Sequence, residues 1–210
     1  MGHVVLLGDS IFDNARYVPG GPAVVEHLGR YLPAGWRATL GAVDGAVAAD
    51  VLDQLPRVPG DATHLVISAG GNDALGHSDM IRHDPAASFA DVLGRLATVR
   101  AGFAAEYRDM LRRARLLGRP TAVCTVYDAI PGLHPAEQTG LALFNEVILR
   151  EAARAGVPVL DLRLICDEAA DYAPISPIEP SVAGGGKIAR AVARVVVDHD
   201  FAAGGCRVYA

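Results

Sequence analysis

Cysteine is scarce in this chain of 210 residues, which holds three. Cys124, Cys166 and Cys206 form an odd set with no C-x-x-C spacing, so neither a disulfide framework nor a zinc knuckle is expected, and a reducing cytoplasm fits best. Runs of like charge are absent as well. With a net charge of -5 and 19 Lys and Arg residues scattered along its length, the chain offers no basic stripe to neutralise a phosphate backbone, which excludes nucleic acid as an expected partner. No apolar stretch reaches the length of a membrane span, and no basic segment or small-residue cleavage site precedes His3-Val4-Val5-Leu6-Leu7. A membrane partner is therefore not expected and a cytoplasmic location is. Met1-Gly2 opens like an acylation signal, but Leu6 stands where that motif requires Ser or Thr.

What is present is apolar and regularly divided. Hydrophobic residues make up 51% of the chain, enough for one sizeable core at this length, so a single domain over residues 1–210 is expected. Strand-length apolar runs alternate with amphipathic segments of helix length, the pattern of a parallel sheet flanked by helices. Strands are expected at Val4 to Leu7, Trp36 to Val43, His64 to Ala69, Thr121 to Tyr127 and Val157 to Leu160. Their continuous apolar character implies burial on both faces. Helices are expected at Pro22 to Leu32, Val47 to Leu55, Ala87 to Leu117, Glu137 to Ala155 and Ala183 to Val197. Phe89, Val92, Leu93, Leu96, Val99, Phe103, Tyr107, Met110 and Leu111 fall on one stripe of the third helix and are read as core. Ala202 to Ala210 has no period and reads as a tail against the sheet edge.

In open parallel sheets, ligands bind beyond the carboxyl ends of the strands. Four segments converge there. Gly8-Asp9-Ser10 follows the first strand, Asp44-Gly45 the second and Gly70-Gly71-Asn72-Asp73 the third, while Ser176-Pro177-Ile178-Glu179-Pro180 lies in a loop beyond the fifth. A serine hydroxyl needs a base to take its proton, and the oxyanion it creates needs donors already in position. Asp9 and Asp73 read as carboxylates that cap nearby backbone N–H groups. Asp13 and Asn14, just past the serine, are placed to reach a substrate or to cap a short helix. Phe12 and Tyr17 follow as pocket or packing aromatics.

Taken in this order and spacing, the segments resemble the blocks of the SGNH (GDSL) serine hydrolases from Val4 to about Val197. The resemblance implies a three-layer α/β/α fold with a central five-stranded parallel sheet of flavodoxin-like topology, and an esterase acting without a cofactor. It also implies Ser10 as the nucleophile, with the N–H groups of Ser10 and Gly45 and the side-chain amide of Asn72 holding the oxyanion. One block departs from the family pattern. Where that pattern reads Asp-x-x-His, this chain has Ser176 and Glu179. The two substitutions make sense together, because an aspartate that supports an imidazolium would repel a glutamate.

An unperturbed glutamate, near pKa ~4.3, is about two units less basic than histidine, a handicap of roughly 3 kcal/mol unless burial raises it. Glu179 is thus a base, a substrate ligand or a cap for the helix near Ala183. His134, with His77 behind it, is the candidate replacement base or substrate contact, and Asp128 is placed to orient either. Two other functions stay open: a ligand-binding protein on the same fold, and an acyltransferase or lyase in a biosynthetic pathway. Gly184-Gly185-Gly186-Lys187 lacks P-loop spacing and reads as a close helix contact, so neither nucleotide nor metal is expected.

Overall fold

The computed structural model describes residues 1–79 and 88–210. Its main sheet contains β1 (His3–Gly8), β2 (Arg37–Leu40), β3 (His64–Ser68), β4 (Thr121–Cys124), β5 (Val159–Leu160) and β8 (Val208–Tyr209). A separate antiparallel pair is formed by β6 (Tyr172–Ala173) and β7 (Ser176–Pro180). The helices are α1 (Val24–Tyr31), α2 (Val51–Gln54), α3 (Gly71–Leu75), α4 (Phe89–Leu116), α5 (Pro135–Ala155), α6 (Leu162–Ile165) and α7 (Val182–Asp198).

All pairings in the main sheet are parallel, in the order β2-β1-β3-β4-β5-β8. The first five strands follow the flavodoxin-like order 2-1-3-4-5, whose ligand crevice lies where β1 and β3 diverge. Alternation along the strands divides the core into two layers. Val4, Leu6, Val66, Ala122, Cys124 and Leu160 face α1 and α7. Val5, Leu7, Leu65, Ile67, Val123 and Val159 face α2, α4 and α5. Successive side chains on a strand point to opposite faces, so these continuous apolar runs fill both layers.

The expected five strands are six. The tail does reach the sheet edge, where Val208 and Tyr209 pair in register with Val159 and Leu160. Two residues are too few to show a period. The second strand ends at Leu40 instead of Val43, because Gly41 and Ala42 both donate to the Leu6 carbonyl, at 2.8 and 2.9 Å, and break the ladder. Likewise β4 stops at Cys124, and the Asn145 amide takes over the pairing of Val126 by accepting from its N–H and donating to its carbonyl, both at 2.8 Å. The helix expected at Val47 to Leu55 shrinks to Val51–Gln54 followed by a single 3-10 turn. The Ala87 start expected for α4 lies outside the described residues.

The triple glycine does serve close packing. A Cβ on Gly184 would sit 2.1 Å from the Asp171 carbonyl oxygen, while Gly185 and Gly186 face Val24 and His27 of α1.

Candidate active site

The chain leaves β1 through a turn held by main-chain bonds and one buried carboxylate. Gly8 has φ +116°, and a Cβ there would lie 1.7 Å from the Ser68 carbonyl oxygen, so only glycine lets β1 and β3 approach this closely. The Gln54 side chain closes the strand end, accepting from Gly8 N–H at 2.7 Å and donating to its carbonyl at 2.8 Å. Phe12 and Asp13 donate to the Asp9 carbonyl at 3.1 Å, and Ile11 donates to Asp9 Oδ1 at 3.2 Å. The Ser10 N–H, in the middle of this turn, has no partner among the described residues.

Gly45 repeats the pattern on the β2 side. Its φ is +84°, open space surrounds its Cβ position, and its N–H also lacks a partner among the described residues. Asn72, in the first turn of α3, donates one amide hydrogen to the Ala46 carbonyl at 3.0 Å. That bond ties it to the Gly45 loop and leaves its second amide hydrogen for a ligand. These three donors lie on the segments that follow β1, β2 and β3.

Glu179 completes the group. It lies on β7 of the small hairpin, a strand where a loop was expected, and is 4% exposed. Two bonds bracket it: Tyr127 donates its hydroxyl to the Ile178 carbonyl at 2.7 Å, and Asn14 donates Nδ2 to the Pro180 carbonyl at 3.2 Å. The hairpin is also seated by the edge-on contact of Tyr127 with Tyr172, whose ring centres are 5.0 Å apart. Burial pushes the Glu179 carboxyl up to about 7, against the Ser10 hydroxyl, which pulls it down, and with a further push from Asp44. Glu179 Oε2 is enclosed and has no hydrogen-bond partner among the described residues. Glu179 is not the helix cap; Ser181 is, its hydroxyl accepting from Gly184 N–H at 3.2 Å.

Two further carboxyls support the site. Asp9, raised to about 7 by burial and by the nearby charges of Glu179 and Asp73, also accepts from the Ser68 hydroxyl at 3.1 Å. Asp73 is raised to about 6 by burial and accepts from Ala48 N–H at 3.0 Å. Both act as the loop caps the sequence suggests.

Three sequence candidates are engaged by hydrogen bonds within the protein, and Asn14 takes the helix-capping alternative. Asp13 is occupied with the β2 loop, its Oδ2 accepting from Asp44 N–H at 3.0 Å. Asn14 is wholly buried, and its Oδ1 accepts from Val24 N–H at 2.9 Å, so it joins α1 to β7 and does not face an open cleft. His134 is exposed and caps α5, with Nδ1 accepting from Ala136 N–H at 3.2 Å. His77, its runner-up, lines the cleft instead, beside Phe144. Phe12 is fully buried core. Tyr17 donates to Asp44 Oδ2 at 2.9 Å, beside Arg16, which bonds the same oxygen at 3.0 Å.

Ser10, Asn72 and Glu179 line a cleft whose walls are largely apolar. Leu96 and Val99 of α4 form one side, Leu141 and Phe144 of α5 another, with Val126 and Ile130 from the β4 loop. Neither Tyr127 nor this wall was visible as a functional feature in sequence, since both read as ordinary core. Among the described residues no cluster of His, Cys, Asp and Glu able to hold a metal is found, and no helix is long and apolar enough to cross a membrane.

Residues 6–184 match the GDSL-like lipase/acylhydrolase family. No curated protein matches the chain. Among solved structures, an extracellular lipase from Streptomyces rimosus superimposes with a TM-score of 0.66 at 20% identity, covering 89% of this chain and 96% of its own. A lipase from a goat rumen metagenome gives 0.71 at 16% identity, covering 90% and 94%. An acetylxylan esterase from Geobacillus stearothermophilus gives 0.65 at 17%, covering 95% of each chain.

Proposed function

This chain belongs to the GDSL-like lipase/acylhydrolase family, and on that premise we propose that it hydrolyses carboxylic esters through an acyl-enzyme on Ser10, with Glu179 as the base. Glu179 takes the Ser10 proton as Oγ attacks the ester carbonyl. The oxyanion is received by the N–H groups of Ser10 and Gly45 and by the free amide hydrogen of Asn72. As the tetrahedral adduct collapses, the carbon–oxygen bond to the alcohol breaks and Glu179 returns the proton to the leaving alkoxide. Water then repeats the sequence on the acyl-enzyme, releasing the carboxylic acid and restoring Ser10.

The observation that carries this reading is the buried Glu179 carboxyl, raised to about 7 and facing the Ser10 hydroxyl. A base at that value is as strong as an unperturbed imidazole near 6.5, so burial removes the handicap of an ordinary glutamate. Preformed donors of the oxyanion type contribute roughly 3 to 4 kcal/mol each to such reactions.

The test is covalent labelling. A fluorophosphonate incubated with the protein at pH 8 should add one adduct, mapped to Ser10 by peptide mass and absent from Ser10→Ala. No adduct, under conditions that label a family lipase, would refute the nucleophile. A ligand that stabilises the protein yet stays unchanged after long incubation would indicate a binding protein on the same fold.

A further inference from the structure

The long apolar stripe of α4 is not core along its whole length. Phe103 is 4% exposed, and Tyr107, Met110 and Leu111 beyond it are buried. Toward the helix start the burial fades: Val99 and Leu96 are half-buried cleft wall, Leu93 is 49% exposed and Phe89 is 80% exposed. Spacings of three and four residues keep all of them on one face. The stripe therefore runs out of the core, through the wall of the cleft that Ser10 also lines, and on to the surface. Across the cleft, Leu141 and Phe144 present a matching apolar side, and Leu75, 47% exposed, stands on its rim. An apolar stripe that extends past its own core offers burial to a ligand that can continue it.

We propose that this cleft holds a linear aliphatic acyl chain, and that the protein selects esters of medium-chain or longer acids over acetyl esters. The inference rests on the ester-hydrolase reading for the identity of the reacting bond, and on the stripe for the chain. The acyl half, which stays attached to Ser10 after the alcohol has left, is the half that a walled cleft can hold throughout the reaction. Asp9, Ser10, Asn72 and Glu179 line the cleft together with the apolar wall, and His77, Ser78 and Glu137 add further polar groups to its lining. The wall formed by Leu96, Val99, Leu141 and Phe144 gives a methylene chain apolar contact without leaving a buried polar group unpaired.

Two measurements test this separately from the hydrolase reading. In the first, p-nitrophenyl esters from acetate to decanoate are compared by kcat/KM. Each methylene buried should raise kcat/KM by up to about fourfold, so octanoate should exceed butyrate by one to two orders of magnitude. Leu96→Asp should lower the octanoate-to-acetate ratio at least tenfold. A flat profile, or acetate as the best substrate, overturns the chain assignment while leaving ester hydrolysis standing. So does a rate that follows the length of the alcohol instead of the acid.

The second measurement needs no turnover: binding of 1-butanol and 1-octanol to Ser10→Ala, followed by methyl NMR. Octanol should bind more than tenfold tighter, shift the Leu96 and Leu141 methyl signals, and lose that advantage in Ser10→Ala/Leu96→Asp. Equal binding of the two alcohols overturns the assignment. Octanol bound in the cleft of a protein that cleaves no ester sustains the assignment and refutes the hydrolase.

Discussion

Replacing Glu179 with Gln keeps the side chain's size and removes only its capacity to accept a proton, which makes it the sharpest probe of the proposed mechanism. With the carboxyl raised to about 7, the active ionised form should be about 1% of the enzyme at pH 5, half at pH 7 and about 90% at pH 8. Acylation of wild type should therefore climb nearly a hundredfold between pH 5 and 8, with unit slope at first and a plateau above about 8. A glutamate at the ordinary value would gain less than about twofold over the same range. Glu179→Gln should lose about 10²- to 10⁴-fold at pH 8 and should lose the inflection as well. Stopped-flow kcat/KM measurements across that range provide the assay. His77 also lines the cleft, so His77→Ala serves as the partner variant and should keep the inflection. The reasoning fails if Glu179→Gln stays within tenfold of wild type with its pH profile intact, or if His77→Ala is the variant that loses it.

Three further outcomes are expected. Asn72→Ala should cut kcat by about 10²- to 10³-fold with little change in KM, since the lost donor faces charge that develops only in the transition state; a pure KM effect would place Asn72 in ground-state binding. Asp9→Asn should raise Tm at pH 8 and leave it nearly unchanged at pH 3, read by calorimetry. The folded Asp9 keeps its proton to about 7, while the unfolded chain releases it near pH 4, so the unfolded state binds fewer protons between those values and wild-type stability falls as pH rises through that window. A Tm difference independent of pH would refute the raised carboxyl. Tyr127→Phe frees the Ile178 carbonyl and should cost about 1 kcal/mol of stability. It should also lower kcat and shift the pH inflection downward as Glu179 gains water; a stability loss with kcat and inflection unchanged would make that bond structural only.

Much of this was legible because it rests on local rules. The alternation of apolar strands with amphipathic helices shows the layers, and the turn-rich segments after β1, β2 and β3 show where the chain leaves the sheet, while the roles expected of Ser10, Gly45 and Asn72 come from the resemblance to the family. What escaped depends on contacts distant in sequence. Tyr127 and Asn14 reach Glu179 from 52 and 165 positions away, and no pattern within either segment reveals that both bonds flank one residue. His134 looked attractive because its loop follows a strand, yet Pro135 starts a helix at the next residue and turns the histidine into its cap. The α4 stripe shows a different limit. Helical spacing reports that residues share a face, and says nothing of whether the protein covers that face along its whole length.

The carboxyl groups around Ser10 constrain each other as well as the substrate. Arg16 is bonded to Asp44 and largely exposed, and burial and like charges, not a neighbouring cation, set the Asp9 and Glu179 carboxyls. Were Asp9 and Glu179 both ionised, each would oppose the other and both would oppose an oxyanion forming between them. Burial and mutual repulsion hold Asp9 up at about 7, which keeps a neutral form available beside a working Glu179 and ties the two protons together. In the proposed mechanism the oxyanion depends on neutral dipoles, the Ser10 and Gly45 N–H groups and the Asn72 amide, which carry no charge that could pull Glu179 back to an ordinary acidity. On the proposed mechanism, an aspartate in place of Ser176 would add a like charge to the strand that carries Glu179 and would favour its protonated form, the opposite of what a base requires.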